Sequence, residues 1–252
     1  MKTITELYKK SFIEAVIAAN KELYTYINTN LSKNDLEPSN TIGCGGDNSL
    51  NIDLIAENIF IKYLKKFGNI YSEECGKLSN DKEFLIIIDP IDGSDNIASN
   101  LPYYGTSVAL KLDNITIAGF ICNLVTAQLK YKAFTNEIIN ISLVDNSLKN
   151  EVFSTKSSIG IFERAYAYPK ICQDFYENKI KYRSPGAVAL SLSSAKNYNF
   201  VLIIGAIREF DIAAALHISS GLFTQHTDKF LLISKNERNF SLIKEILKEN
   251  SL

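Results

Sequence analysis

Histidine is almost absent from this chain of 252 residues: only His217 and His226 occur. A His-Glu-x-x-His metalloprotease site or a His-rich metal centre is therefore excluded. Four cysteines (Cys44, Cys75, Cys122, Cys172) stand far apart with no Cys-x-x-Cys pair, which argues against structural zinc and against a disulfide framework. Nothing in the sequence lowers the Cys75 pKa visibly, so a redox role for it has no support. Glycine (12) and proline (5) are too sparse for a fibrous or disordered chain. Charge of either sign is not in excess: 27 Lys+Arg face 28 Asp+Glu, and the pI is about 6.2. A dedicated nucleic-acid binder would show a basic surplus. The start, MKTITELYKKSF, lacks the apolar core of a signal peptide, and no run approaches the roughly 18 apolar residues of a membrane span. The expectation is a soluble, cytoplasmic protein without nucleic-acid or membrane partners, whose chemistry runs on carboxylates.

What is present is periodic. Ile4, Tyr8, Phe12, Ala15, Ala19, Leu23 and Ile27 mark a first long helix, and Ile52 to Phe67 a second, with Gly68 as its C-terminal cap. Phe84 to Ile88 is a continuous apolar run, the pattern of a strand buried on both faces. Strands follow over 105–112 and 115–123, joined at Asp113-Asn114, then over 128–134 and 137–142. The second half alternates: strand near Ile180, helix 186–196, strand 200–204, helix 211–219, strand 230–233, helix 237–248. Helices first, a sheet-rich middle and an alternating end predict a layered α/β fold in two subdomains, 1–135 and 136–252.

The informative stretch is Asp89-Pro90-Ile91-Asp92-Gly93-Ser94-Asp95-Asn96, at the carboxyl end of the buried strand, where open α/β sheets place ligands. Pro90 and Gly93 force a bend there. The bend can aim Asp89, the Ile91 carbonyl and Asp92 at one small volume, which suits a hard cation such as magnesium. Gly93-Ser94 can open a short helix whose N–H groups face an anion. The plain alternative is a helix cap plus a turn residue. Glu73 and Glu74 end another strand-like stretch, and Asp211 opens a helix; alone, these are solvated turn charges and an N-cap.

Together the segments resemble the inositol-monophosphatase/fructose-bisphosphatase superfamily. Ser72-Glu73-Glu74, Asp89-Pro-Ile-Asp-Gly-Ser-Asp-Asn96 and Phe210-Asp211-Ile-Ala-Ala match its three signature runs in order, with Phe210 where tryptophan is commonest. Asp53 to Glu57 resembles its Asp-x-x-x-Glu, and Arg183 to Leu190 its Arg-Ser-x-Gly-[Ser/Thr]-Ala-Ala stretch. The resemblance implies the sugar-phosphatase fold, an αβαβα sandwich, and a magnesium-dependent phosphatase with two or three ions per site. Glu73, Asp89 and the Ile91 carbonyl would hold one ion and Asp89, Asp92 and Asp211 a second. Asp53 and Glu74 match positions near the water and a weaker third site. Glu73 and the Ser94 hydroxyl would place the attacking water, and the Gly93 and Ser94 N–H groups the phosphate. Asp92, Gly186 and Ala187 fall on the substrate side, and Arg183 or Arg208 meets a second phosphate or serves as an ion-pair partner. Homodimers, lithium sensitivity and a small sugar- or polyol-phosphate substrate are also implied.

The substrate side departs from the pattern at Ala187, at Ile204 (a glutamate in inositol-specific members) and at Gly221 to Thr224. Inositol phosphate and fructose bisphosphate both stand as substrates. Rival readings are a nucleotide 3′-phosphatase and a non-catalytic interaction protein. The glycine-rich stretch 43–47 reads as a loop, either plain or a lid over the metals.

Overall fold

The computed structural model describes residues 4–44, 46, 48–154 and 157–252. Gly45 and Asp47, in the stretch read as a loop or lid, lie outside the described residues. The chain opens with α1 (Glu6–Thr29), a small hairpin of β1 (Pro38–Ile42) and β2 (Asn48–Leu50), and α2 (Asn51–Leu64). Next come β3 (Asn69–Ser72), β4 (Gly76–Leu78), β5 (Leu85–Asp92), the short α3 (Ser94–Ala98), β6 (Gly105–Leu112), β7 (Ile115–Asn123), β8 (Gln128–Ala133) and β9 (Ile139–Ser142). The remainder is β10 (Ile159–Glu163), α4 (Pro169–Glu177), β11 (Lys181–Arg183), α5 (Val188–Ser193), β12 (Val201–Ile204), α6 (Glu209–Ile218), β13 (Phe223–His226), β14 (Phe230–Ser234) and α7 (Glu237–Glu249).

Two sheets carry the fold. The larger has seven strands in the order β4-β3-β5-β6-β7-β8-β9, antiparallel except for β3 beside β5. The smaller has five, in the order β11-β10-β12-β14-β13. Alternation along each strand sorts side chains between layers. Ile86 and Ile88 of β5, with Val108 and Leu110 of β6, face the core shared with α1 and α2, whereas Ile87 and Ala109 face the opposite side. There they meet α5, α6 and the inner residues Val201, Ile203, Leu231 and Ile233 of the second sheet. Leu202, Ile204, Phe230 and Leu232 point outward against α4 and α7. The result is helix, sheet, helix, sheet, helix, as the resemblance implied. Among the described residues no helix is long and apolar enough to cross a membrane.

Several expectations need correction. The second helix stops at Leu64, with Lys65 as its cap residue, so Gly68 is not the helix cap. Its glycine is required for another reason: a Cβ there would sit 2.8 Å from the Phe84 carbonyl, which accepts the Asn69 N–H. The helix expected over 186–196 is only Val188–Ser193, followed by a 3-10 turn at Ala195–Asn197. Strand β5 does not end at Ile88 but runs on to Asp92 through Pro90. The first sheet ends with Ser142, beyond residue 135. The Asp113-Asn114 turn is as expected, both residues taking positive φ (49° and 64°) as a two-residue hairpin loop demands.

Candidate metal centre

A bulge places the first two carboxylates. Asp89 pairs with Ser107 and Asp92 with Gly105, so β5 spends one more residue than β6 across this stretch. Bulges bend a strand and re-aim its side chains, and they accommodate a proline that has no N–H for the ladder. Gly105, opposite Asp92, lets β7 approach closely, because a Cβ there would lie 2.1 Å from the Cys122 carbonyl oxygen. Gly93 then turns through the left-handed region (φ 91°) and α3 begins. Asp211 comes from the first turn of α6 on the other side of the sheet. Close packing holds that helix down: a Cβ on Gly119 would come 2.6 Å from the Ala214 carbonyl, and the Ser107 hydroxyl donates to the Phe210 carbonyl at 3.1 Å. Phe210, in the family's tryptophan position, packs its ring on Tyr71 at 4.6 Å.

These three aspartates converge. Asp89, Asp92 and Asp211 are 1%, 4% and 3% exposed, and each offers an oxygen within 4.8 Å of the others. Asp89 Oδ1 has no hydrogen-bond partner although it is buried. Burial pushes Asp89 well above the usual carboxylate range, reinforced by Glu73, Asp92 and Asp211. Burial does the same to Asp92, against the pull of the Leu190 N–H that it accepts at 2.9 Å.

Glu73 follows β3 and enters the same cleft. Burial pushes its pKa up to about 7, while Arg208 pulls the other way. Arg208 forms an ion pair with Glu73 and reaches Asp211 through Nε (3.1 Å) and Nη2 (3.2 Å). Its own pKa stays raised despite burial, because Asp211 and Glu73 stabilise the cation. Asp53 caps α2 by accepting the Leu50 N–H at 2.8 Å, which leaves Oδ1 buried without a partner; burial raises it to about 7. Glu74 accepts the Ser49 hydroxyl.

The donor set therefore fits a hard divalent cation. Oxygen ligands are close together, mutually repulsive and under-compensated by a single paired guanidinium. Asp89, Asp92 and Asp211 would hold such an ion, with Glu73 beside them.

All of these residues, together with Ile91, Gly93, Ser94 and Gly186, line one cleft of about 660 Å³. The Ile91 side chain itself packs into the first core. Two residues assigned to the substrate side are not there. Ala187 is buried between α5 and the sheet, where it backs Gly93, and Arg183 is an exposed strand residue whose Nη1 donates to the neighbouring Tyr182 carbonyl. Ile204 also lies away from the cleft, in the core under α4 and α7. The cleft instead contains Glu163, Arg164 and Tyr166, at and just after the end of β10. None was singled out, because β10 lies in a stretch with no periodicity strong enough to mark it. The available signal was the short apolar run Ile159-Gly-Ile-Phe162 ending in an acid.

Comparison with known proteins agrees with this geometry. Residues 9–228 match the model of the inositol monophosphatase family. A fructose-1,6-bisphosphatase/inositol-1-monophosphatase from Methanocaldococcus jannaschii is 30% identical over 137 residues, 54% of this chain and 52% of the relative. The chain thus matches about half the length of that relative. A protein of the same description from Methanothermobacter thermautotrophicus is 30% identical over 203 residues, 69% of each chain. A solved inositol monophosphatase–fructose 1,6-bisphosphatase superposes with a TM-score of 0.72 at 22% identity, covering 93% of this chain and 98% of its own. With the signature carboxylates gathered in one cleft and the family model matched over most of its length, the chain belongs to the inositol monophosphatase family.

Proposed function

We propose that the protein is a magnesium-dependent phosphatase that hydrolyses a small phosphate monoester of the inositol monophosphate or fructose bisphosphate type. The observation that carries this reading is the convergence of Asp89, Asp92 and Asp211, from two sides of a sheet, within 4.8 Å. Phosphoryl transfer needs charge neutralisation and alignment more than covalent help, and this cleft is built of groups that supply both. Divalent ions bound there would supply Lewis acidity toward the phosphoryl oxygens and the attacking water.

The chain's own residues have the remaining tasks. Asp89, Asp92, Asp211, Glu73 and the Ile91 carbonyl would hold the ions, with Asp53 and Glu74 at a weaker further position. Glu73 and the Ser94 hydroxyl orient the water. The Gly93 and Ser94 N–H groups, at the start of α3, would receive the phosphoryl oxygens. Arg208 keeps Glu73 and Asp211 in place through its ion pairs. In this reading the part of the chain that builds the first sheet, through Ser142, meets the remainder at the site, the second part contributing Asp211. The protein would act in the cytoplasm as a homodimer.

Phosphate release tests the proposal. Purified protein would be assayed on inositol monophosphate, fructose 1,6-bisphosphate and adenosine 3′,5′-bisphosphate, with and without magnesium. Release from one of the first two only when magnesium is present is expected. Release from the adenosine compound alone would select the nucleotide reading. No turnover on any substrate with magnesium bound would point to a non-catalytic role.

A further inference from the structure

We infer that Glu163 is a positioning residue for the metal centre: it locks α5 in the orientation from which the Leu190 N–H fixes Asp92. The inference rests on the proposed metal-binding role of Asp92.

Glu163 is the last residue of β10, and its side chain is buried against the cleft wall. An unmatched carboxylate in such a place is costly, so its oxygens should be committed to partners. They are. Oε1 accepts the Ser191 hydroxyl at 2.6 Å and Oε2 accepts the Gly186 N–H at 2.9 Å. Ser191 sits in α5, its oxygen also 3.1 Å from the Tyr103 hydroxyl. The residue before it, Leu190, donates its N–H to Asp92 Oδ2 at 2.9 Å. From the other side, the Asn96 amide donates to the Tyr103 carbonyl (2.6 Å) and the Pro185 carbonyl (2.8 Å), tying α3 to the same turn.

One carboxylate thus connects the second sheet, the turn before α5 and α5 itself, and the chain of bonds ends on Asp92. With only six residues, Val188–Ser193, α5 depends on contacts outside itself for its direction: its apolar side chains pack into the second core, and the Glu163–Ser191 bond fixes its rotation over Asp92. The Leu190 N–H is the partner bonded directly to Asp92, and loss of such a partner commonly weakens metal binding about tenfold or more; Glu163 acts on it through Ser191.

Two roles have to be separated. Glu163 could act merely as one more negative charge near the cations, or as the anchor just described. Glu163→Asp keeps the charge but withdraws the oxygens from Ser191 and Gly186, and Ser191→Ala removes the anchored hydroxyl without touching any charge. Ser234→Ala serves as the control, since Ser234 is buried on β14 and donates to the Asn199 carbonyl at 2.6 Å, outside the cleft. The experiment is calorimetric titration of magnesium chloride into each folded protein, with its melting temperature recorded. Magnesium Kd is expected to rise about tenfold in both Glu163→Asp and Ser191→Ala. It should stay at the wild-type value in Ser234→Ala even if that variant melts earlier. An unchanged Kd in both cleft variants overturns the inference, as does an equal loss in Ser234→Ala, which would mean that any weakening of the fold suffices. Absence of magnesium binding by the wild-type protein would instead contradict the proposed function.

Discussion

Asp89 is the residue at which folding and function conflict. Its carboxylate is buried among Glu73, Asp92 and Asp211, with one oxygen lacking any partner, so without a cation it weakens the fold. Replacing it by asparagine should therefore leave the metal-free melting temperature unchanged or raise it, while abolishing the increase expected on adding magnesium. Thermal scans with and without magnesium check both halves. Arg208→Ala works in the opposite direction. It strips Glu73 and Asp211 of their compensating charge, and since Arg208 is itself partly exposed, a loss of about 2–3 kcal/mol in metal-free stability is expected by denaturant titration. Magnesium should restore part of it.

The same carboxylates set a pH dependence. In the folded protein Glu73 and Asp53 titrate near 7, above their ordinary values of 4.5 and 3.8. Between those ordinary values and 7 the folded state retains protons that the unfolded chain has released. Metal-free stability must then fall as pH rises through that window. The melting temperature of metal-free protein should drop between pH 5 and pH 8, and the gain from magnesium should be larger at pH 8.

At the scale of elements, the site depends on how closely α6 lies on the first sheet. Gly119 of β7 permits that approach, its position facing the Ala214 carbonyl at 2.6 Å for any added Cβ. Gly119→Ala should cost about 1–3 kcal/mol as an overpacked contact. It should also weaken magnesium binding, because the helix it displaces carries Asp211; parallel denaturant and calorimetric titrations would show both.

Legibility in the sequence varied at this scale for physical reasons. The 105–112 and 115–123 strands and their two-residue turn were readable, since an apolar, β-branched run and turn chemistry are both local signals. The course of β5 through Pro90 was not, because a bulge exists only relative to the partner strand. Likewise α4 is a short amphipathic helix, β13 a short edge strand and β10 a five-residue interior strand buried on both faces, all too short to show a period, and Glu163 was missed with β10. Asp89, Asp92, Glu73 and Asp211 were legible as a motif, whereas Arg183 and Ala187 were misplaced because motif spacing does not tell which face of an element meets the cleft.

For the whole molecule, five layers bring α6 against the face of the first sheet beside the carboxyl end of β5, and the acidic cleft forms where they meet. A ligand that binds only this folded arrangement stabilises all of it. At about a hundredfold its Kd, magnesium should add about 2.7 kcal/mol, or roughly 5–10 °C in melting temperature for a chain of this size. The most direct test is crystallographic. Crystals soaked in manganese, a spectroscopically visible substitute for magnesium, should show anomalous density bounded by the carboxylates of Asp89, Asp92 and Asp211, with metal–oxygen distances of about 2.0–2.3 Å. Crystals that bind no manganese there, or show the three carboxylates turned away from one another, would contradict the assignment of this cleft as a metal centre.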